Sequence, residues 1–316
     1  MRAFSRRRAA LAALVLIGLQ STALAGEALT TNQPADSLSF VDLATMKEVA
    51  QIKIGGKPAG IALSADKTKA YITSPDSKEL VEVDAVRRAV TRRLVLGGAP
   101  LGIAAHPKLP EVYVADWYSH KIRVIDTVKL AIVGEIAVGK SPSGLAVTPD
   151  GRLLLSADRD SDTVSVVDIA SRTRLASIPV GTHPFGITID AKGERAYTAN
   201  VKSNDVTVID IAAQRVVGRV PTGRRPYAVA LADGRGFSTD QYGGSVTVFD
   251  LEKLTPIKTI DACDHPEGIE PDPSASNVYV ACWGDDVLLR LDPVSLKVTG
   301  KTSVGDGPRA FGKFLR

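Results

Sequence analysis

The chain has 316 residues, of which 44% are hydrophobic and 23% are charged, a composition that excludes an intrinsically disordered protein. Its formal charge of +4 comes entirely from the first 25 residues, which contain Arg2, Arg6, Arg7 and Arg8 and no acid. The remainder is neutral, so overall basicity gives no support to nucleic-acid binding.

Residues 1 to 25 have the form of a secretory signal peptide. A basic start, RAFSRRR, precedes the apolar stretch AALAALVLIGL, and the small residues ALA end at Ala25 as a cleavage site. The apolar stretch is too short for a comfortable membrane span. We therefore expect cleavage near Ala25 and export to the periplasm or the cell exterior, by the general route or by the twin-arginine route that SRRR loosely resembles.

The rest of the chain is a repeat of about 42 residues that occurs seven times. Each repeat has an anchor proline, and these are Pro58, Pro100, Pro142, Pro184, Pro226, Pro266 and Pro308. After Pro184, four runs rich in Val, Ile, Thr and Tyr are separated by AKGE, VKSND and IAAQ, which predicts four strands, a to d. A period near 42 with four strands is typical of an all-β fold, the seven-bladed β-propeller with four-stranded antiparallel blades.

The two ends of the chain predict how this ring closes. After Pro308 only RAFGKFLR remains, enough for one strand a, whereas ALTTNQPADSLSFVD from Ala28 aligns with AYITSPDSKELVEVD from Ala70 and supplies strands b, c and d. We predict one domain over residues 26–316, with the ring closed by a shared blade. The blades are 58–99, 100–141, 142–183, 184–225, 226–265, 266–307, and 308–316 together with 28–57.

Positions that recur in every repeat are expected to serve the blade. One is the aspartate that ends each strand c, which we interpret as a turn former: Asp42, Asp84, Asp126, Asp168, Asp210, Asp250 and Asp292. Another lies three residues before each anchor proline and holds Gly55, Gly97, Gly139, Gly181, Gly223, Cys263 and Gly305. We expect glycine there to permit unusual backbone angles where strand d crosses to strand a.

Asymmetric positions are the candidates for a unique site. The d-to-a and b-to-c connections of an antiparallel blade emerge on one side, which we call the mouth. The candidate ligand-binding residues of the mouth are Trp117, Tyr118, His183, Arg225, Tyr227, Tyr242, His265 and Trp283. The two tryptophans occupy the same repeat position in blades three steps apart, so we expect them nearly opposite each other across the mouth.

The only two cysteines break their repeat positions in the same blade. Cys263 replaces the glycine, and Cys282 replaces the Asp or Asn at the end of strand b, which predicts a disulfide in an exported chain. The alternative is a soft-metal site of Cys263, His265 and Cys282. Weaker metal candidates are Asp116, Asp158, Asn200 and Asp240, which could bind calcium or could instead cap strand b; we expect no metal or other cofactor.

The repeat motifs YITS, YVAD, YTAN and YVAC, with the VID runs, resemble the YVTN-type β-propeller family and, more narrowly, its YncE-like periplasmic members. That resemblance implies the propeller fold, and it covers binding proteins, reported nucleic-acid binders and lactonases. The favoured function is binding of a small molecule or a periplasmic protein at the mouth by a monomer.

Two alternatives stay open. A lactonase-like hydrolase would use His183, Arg225, Glu267 and Arg309 as base, acid and cationic clamps. Single-stranded nucleic acid would stack on Trp and Tyr and contact Arg at the mouth, although the neutral charge of the exported chain disfavours it.

Overall fold

The structure is a computed structural model that describes residues 26–316, so the predicted signal peptide lies outside the described residues. The N-terminal strands β1 (Glu27–Asn32), β2 (Ser37–Asp42) and β3 (Lys47–Lys53) form three strands of blade 7. Blade 1 contains β4 (Gly60–Leu63), β5 (Lys69–Ser74), β6 (Glu79–Asp84) and β7 (Ala89–Val95). Blade 2 contains β8 (Pro100–Ala105), β9 (Glu111–Asp116), β10 (Lys121–Asp126) and β11 (Ala131–Ala137).

The later blades repeat this arrangement. Blade 3 contains β12 (Pro142–Val147), β13 (Leu153–Asp158), β14 (Thr163–Asp168) and β15 (Thr173–Pro179), with one 3₁₀ turn at Arg159–Ser161. Blade 4 contains β16 (Pro184–Ile189), β17 (Arg195–Asn200), β18 (Asp205–Asp210) and β19 (Arg215–Pro221). Blade 5 contains β20 (Pro226–Ala232), β21 (Arg235–Asp240), β22 (Ser245–Asp250) and β23 (Pro256–Asp261). Blade 6 contains β24 (Pro266–Pro271), β25 (Val278–Cys282), β26 (Val287–Asp292) and β27 (Lys297–Ser303), and β28 (Phe311–Gly312) follows.

Seven antiparallel sheets therefore form the predicted seven-bladed all-β propeller. Middle strands such as β1 and β25 are buried along their whole length, because each blade packs both faces against its neighbours. The outermost strands, such as β7, are exposed at every second residue. In blades 2 to 6 the innermost strand has a β-bulge just after its anchor proline, as between Pro142 and Leu145. The residue after the proline therefore lies in irregular backbone around the central channel.

The predicted ring closure is confirmed, with one difference. The C-terminal segment pairs antiparallel with β1 through the bridges Pro308–Asn32 and Leu315–Ala28. The C-terminal segment has two more residues between Pro308 and Leu315 than β12 has between the equivalent residues Pro142 and Val147. These two extra residues form a bulge that points towards the channel. As a result β28 leaves the blade 7 ladder and pairs in parallel with β4 of blade 1.

The turn role of the strand c aspartates is confirmed in all seven blades. Each carboxylate accepts a backbone N–H two or three residues ahead; for example, Asp168 accepts from Ser171, and Asp292 accepts from Val294 and Ser295. These bonds close the turn between strands c and d on the face opposite the mouth. They also lower the pKa of Asp168 and Asp292, since backbone N–H groups stabilise the carboxylate.

The expectation for the glycine position is wrong in most blades. Gly55 and Gly97 have positive φ angles of 84° and 72°, but Gly139, Gly181, Gly223 and Gly305 do not. Instead, a Cβ added at Gly139 would lie 2.6 Å from the Asp158 Cβ. Glycine is required there because strand d crosses directly over the polar side chain that ends strand b.

No helix within residues 26–316 is long and apolar enough to cross a membrane.

Candidate functional site

The mouth loops are fastened to each other by one repeated hydrogen bond. The residue before an anchor proline has a left-handed backbone in most blades, as at His183 (φ 56°) and Arg225 (φ 53°). Its N–H donates to a side chain at the end of the neighbouring b-to-c loop: His183 to Asp162 and Arg225 to Asn204, both at 2.8 Å. The loops therefore form a rigid frame, in which the backbone of His183 and Arg225 is structural and their side chains are free to serve another role.

A cavity of about 450 Å³ opens at this mouth. Its floor comes from residues directly after anchor prolines: Leu101, Phe185, Tyr227 and Arg309. Its wall comes from residues directly after strand b: Pro75, Trp117, Arg159, Val201 and Gln241. Tyr118, which is 75% exposed, stands at the edge. Two positions of the repeat thus supply most of the cavity lining, and their differing side chains make it asymmetric.

Three aromatic rings close the floor. Phe185 lies 4.7 Å from Tyr227 and 5.0 Å from Phe311, measured between ring centroids, and Tyr227 lies 5.4 Å from Phe311. Phe185 and Tyr227 line the mouth cavity, whereas Phe311 lines a second cavity of about 250 Å³ further down the channel. The inward bulge of the C-terminal segment places Phe311 in the channel. The three rings therefore separate the two cavities, so the mouth cavity is closed from below.

A buried ion pair stands beside these rings. Arg309 donates to the Glu267 carboxylate from Nε (2.8 Å) and Nη2 (3.2 Å), and Gln241 Nε2 donates to Glu267 Oε1 at 2.6 Å. Burial raises the pKa of Glu267, because it disfavours the charged carboxylate more than Arg309 and Gln241 favour it. Burial also raises the pKa of Tyr227 well above its usual value, so its phenol stays neutral. The Tyr227 hydroxyl is near enough to Glu267 to affect that pKa, but makes no well-formed hydrogen bond within residues 26–316.

Four predicted ligand-binding residues form a separate stack on the rim. The Arg225 guanidinium lies 4.3 Å from the Tyr242 ring centroid, His265 follows at 5.1 Å, and Trp283 lies 6.0 Å beyond His265. None of the four lines the mouth cavity. Trp117, Tyr118 and Tyr227 do line it, so the predicted site residues divide into a cavity group and a rim group. The placement of the two tryptophans nearly opposite each other stays a prediction.

The four catalytic candidates are not gathered around one point. Glu267 and Arg309 bind each other, while Arg225 belongs to the rim stack. His183 lies 4.0 Å from Asp160 and outside the cavity lining. Its pKa is lowered, first by burial and then by the Arg159 cation, so the imidazole is neutral at pH 7.

Sequence reasoning missed Arg159, Gln241 and Phe311. Arg159 and Gln241 occupy the same repeat position as Trp117 and Trp283, one residue after strand b, so comparison of all seven copies at that position could have found them. Phe311 could not be found in this way, because the C-terminal segment departs from the repeat register there.

The weak metal candidates are each used within their own blade. Asp116 pairs with Arg123 at 2.8 Å, Asp158 accepts from Ser165, and Asp240 accepts from Thr247 at 2.7 Å. Asn200 likewise donates to Thr207 at 2.8 Å. Within residues 26–316 no group of three or more His, Cys, Asp or Glu side chains converges on one point. These four residues cap strand b.

We expect the substitution of Asp by Asn at the end of strand b to change the free energy of unfolding in opposite directions in two blades. Burial raises the pKa of Asp240 to about 6, whereas Asp116 has a lowered pKa because Arg123 and backbone N–H groups outweigh the effect of its burial. A raised folded-state pKa stabilises the fold below the unfolded value of 3.8, and this contribution is lost as the pH rises through about 6. We expect Asp240→Asn to raise the free energy of unfolding at pH 7.5 by about 2 kcal/mol, with the gain disappearing towards pH 4.

Asp116→Asn is the matched control, and we expect it to destabilise at pH 7.5, because Arg123 loses its partner. Urea titrations at several pH values measure both effects. A destabilisation of similar size and pH dependence in both variants would contradict the assignment. Asn32 already occupies the equivalent position of blade 7 and donates to two serines, so asparagine fits there.

The predicted disulfide is confirmed. Cys263 and Cys282 are bonded, with their Cα atoms 6.0 Å apart. The pair replaces the glycine-to-Asp contact found at this crossing in other blades, which explains why both residues depart from the repeat together. Closing a loop of 19 residues stabilises the fold by about 3 kcal/mol on the chain-entropy estimate. The soft-metal alternative is wrong, because neither sulfur is available as a thiolate.

Comparison with known proteins agrees with this architecture. A family described as "Lactonase, 7-bladed beta-propeller" matches residues 126–226, about a third of the chain. No curated protein matches the sequence. A chain of Kuenenia stuttgartiensis hydrazine synthase is 20% identical, with a TM-score of 0.70 over 81% of this chain and 89% of its own.

Two further solved structures share the fold. A functionally unknown protein from Desulfotomaculum acetoxidans DSM 771 is 17% identical, with a TM-score of 0.74 over 91% of this chain and 99% of its own. The dihydro-heme d1 dehydrogenase NirN, solved in complex with DHE, is 14% identical, with a TM-score of 0.67 over 93% of this chain and 75% of its own. At these identities the likeness concerns the fold alone. The protein is a seven-bladed β-propeller.

Proposed function

We propose that this propeller is a binding protein that holds a small molecule in its mouth cavity. The observation that carries the proposal is a cavity of about 450 Å³ on a closed aromatic floor, with Trp117 and Arg159 in its wall and Arg309 in its floor. Aromatic walls with a few polar groups are the usual lining of small-molecule sites. The rigid loop frame adds preorganisation, which reduces the entropy lost on binding.

We propose further that the protein acts after export. The disulfide between Cys263 and Cys282 is suited to an oxidising compartment, and residues 1 to 25 have the sequence of a signal peptide. Together they support a periplasmic or secreted location. We propose that the protein is a monomer of the YncE-like kind, with a small molecule or an exported protein as its partner.

Single-tryptophan variants test the proposed binding site. Because the chain has two tryptophans, Trp283→Phe leaves Trp117 in the cavity wall as the only indole, and Trp117→Phe leaves Trp283 on the rim. We would titrate each variant with a panel of lactones, sugars, nucleosides, amino acids and aromatic acids. The expected result is that at least one compound changes the emission of the Trp117 reporter and leaves the Trp283 reporter unchanged.

The other fluorescence outcomes would place the binding site elsewhere on the protein. A response of the Trp283 reporter alone would move the site to the rim stack of Arg225, Tyr242 and His265. A compound that binds by calorimetry and changes neither reporter would exclude the mouth. We would compare the melting temperatures of the variants first, so that a lost response is not a lost fold.

Lactone hydrolysis is the second candidate function, and the partial match to the lactonase family favours it. The geometry gives it less support. Glu267, the candidate acid or base, accepts hydrogen bonds from Arg309 and Gln241 and is 1% exposed. The test is ring opening of δ-gluconolactone and γ-butyrolactone followed by pH-stat, with Glu267→Gln as the variant. Turnover by the parent that Glu267→Gln abolishes without unfolding would establish the enzyme.

Single-stranded nucleic acid stays a weaker proposal. Lys202, Arg224 and Arg225 are exposed together on the blade 4 loops, but Asp264, on the crossing from blade 5 to blade 6, and Asp285, in the b-to-c loop of blade 6, are exposed as well. The absence of oligonucleotide binding at low salt would remove this alternative, since phosphate contacts are strongest there.

A further inference from the structure

From the lining of the mouth cavity we infer that its ligand is a flat aromatic anion, such as an aryl carboxylate. This inference rests on the proposed function and adds the chemical class of the ligand. Three features carry it: the guanidinium donors of the lining, its aromatic rings, and one buried hydroxyl in the floor.

The charged side chains of the lining are two arginines, each of which pairs with a carboxylate that does not line the cavity. Arg159 and Arg309 both line the cavity, and within the described chain no lining residue is acidic. Arg309 uses Nε and Nη2 on Glu267, so its Nη1 has no hydrogen-bond partner among residues 26–316. Arg159 binds Asp160 through Nη1 and is partly exposed. Each arginine therefore has donors left for an anion, and a planar carboxylate suits a guanidinium group.

The apolar surface is aromatic, and its neighbouring rings are tilted against each other by 59° and 47°. Trp117 lies 6.3 Å from Phe185, and Phe185 lies 4.7 Å from Tyr227, so three rings line one continuous side of the cavity. The Arg159 guanidinium lies over the Trp117 ring, 5.4 Å from its centroid, which places a cation against this aromatic surface. An aromatic ligand would stack on the rings while its anionic group stays near the arginines.

The buried hydroxyl belongs to Tyr227. Its side chain lies in the cavity floor, the residue is 4% exposed, and its oxygen makes no well-formed hydrogen bond within the described residues. Buried hydroxyls without a partner are rare, because each one loses its hydrogen bonds to water. The neighbouring acceptor is the Glu267 carboxylate, so a ligand oxygen placed on the floor would compete with it for this proton.

Three probes separate charge from shape. They are 2-naphthoate, the neutral 2-naphthalenemethanol, and the saturated decahydro-2-naphthoate, each titrated into the Trp283→Phe variant, whose only indole is Trp117. We expect 2-naphthoate to bind at least about 10-fold more tightly than either analogue, because only it offers both a planar body and a carboxylate.

Two substitutions and one matched control locate the contacts. We expect Arg159→Gln to weaken 2-naphthoate binding about 5-fold to 10-fold with little change for 2-naphthalenemethanol, and Arg225→Gln, on the rim, to leave both unchanged. Tyr227→Phe keeps the aromatic floor and is expected to weaken 2-naphthoate about 5-fold. Melting temperatures within a few degrees of the parent would show that these variants are folded.

The inference is overturned if 2-naphthalenemethanol or decahydro-2-naphthoate binds as tightly as 2-naphthoate, or if Arg225→Gln weakens binding as much as Arg159→Gln. A lack of 2-naphthoate binding up to about 5 mM overturns it as well. In those cases the proposed function still stands if another compound of the panel changes Trp117 emission. If no compound does, both fail together.

Discussion

Deletion of residues 309–316 is expected to abolish cooperative folding. This segment supplies the innermost part of blade 7, where Leu29 donates to Phe314 O at 2.9 Å and Arg309 donates to Thr31 O at 2.7 Å. It also buries Phe314 and Leu315 in the core shared by blades 6, 7 and 1. Without it, β1 becomes an unpaired edge and the apolar faces of two blades meet water. We expect aggregation or loss of the thermal transition, measured by circular dichroism and calorimetry.

A point substitution tests the same closure more gently. The buried Glu270 carboxylate of blade 6 accepts the N–H groups of Phe314 (2.6 Å) and Leu315 (2.9 Å), which fastens the C-terminal segment to its neighbour. We expect Glu270→Gln to lower the free energy of unfolding by about 1 to 3 kcal/mol, because both N–H groups donate to Oε2 and would lose a charged acceptor, and Lys313 would lose its ion pair with Oε1. Glu252→Gln, on an exposed turn of blade 5, is the matched control and should have no effect. For the deletion, an unchanged melting temperature of the chain that lacks residues 309–316 would refute ring closure.

Arg309→Met is expected to destabilise the fold by about 3 to 5 kcal/mol, because it leaves the Glu267 carboxylate buried without its cation. Glu267 is 1% exposed, and its remaining partner is Gln241. At low pH the loss should become smaller, since the raised pKa of Glu267 allows it to take a proton more readily than an exposed glutamate. Urea unfolding at pH 7.5 and pH 5 measures both expectations.

The double variant Arg309→Met with Glu267→Met supplies the control for this ion pair. If the penalty comes from an uncompensated buried charge, removing both charges should restore much of the stability. A double variant as unstable as Arg309→Met alone would show instead that the packing of the arginine stem is what matters. The result also bears on catalysis, because a glutamate held for stability is a poor candidate for a general base.

The repeat made most of the fold predictable. The anchor prolines, the strand c aspartates and the two out-of-place cysteines each occupy a fixed position, and seven copies show what belongs to the blade. The path of the C-terminal segment was not predictable in the same way, because its two additional residues have no equivalent in the other blades. That local excess places Phe311 in the channel and so decides that the mouth cavity has a floor.

The site was predictable only in part, for a related reason. Trp117, Tyr118 and Tyr227 were found as rare aromatic residues at the mouth, but Trp283 and Tyr242 have the same appearance in the sequence and belong to the rim stack. Which group lines a cavity depends on the packing of side chains around the channel. In the sequence, Glu267 has the residue type and the position of a candidate catalytic acid. Only the structure shows that it forms an ion pair with Arg309.

A crystal structure of the protein with the compound that most strongly changes Trp117 emission tests the central claim most directly. We expect the compound to lie in the mouth cavity above Phe185 and Tyr227, in contact with the Trp117 indole. A compound bound instead in the lower cavity beside Phe311, on the rim at Trp283, or on the face of the strand c turns, with the mouth cavity empty, would contradict the proposed function.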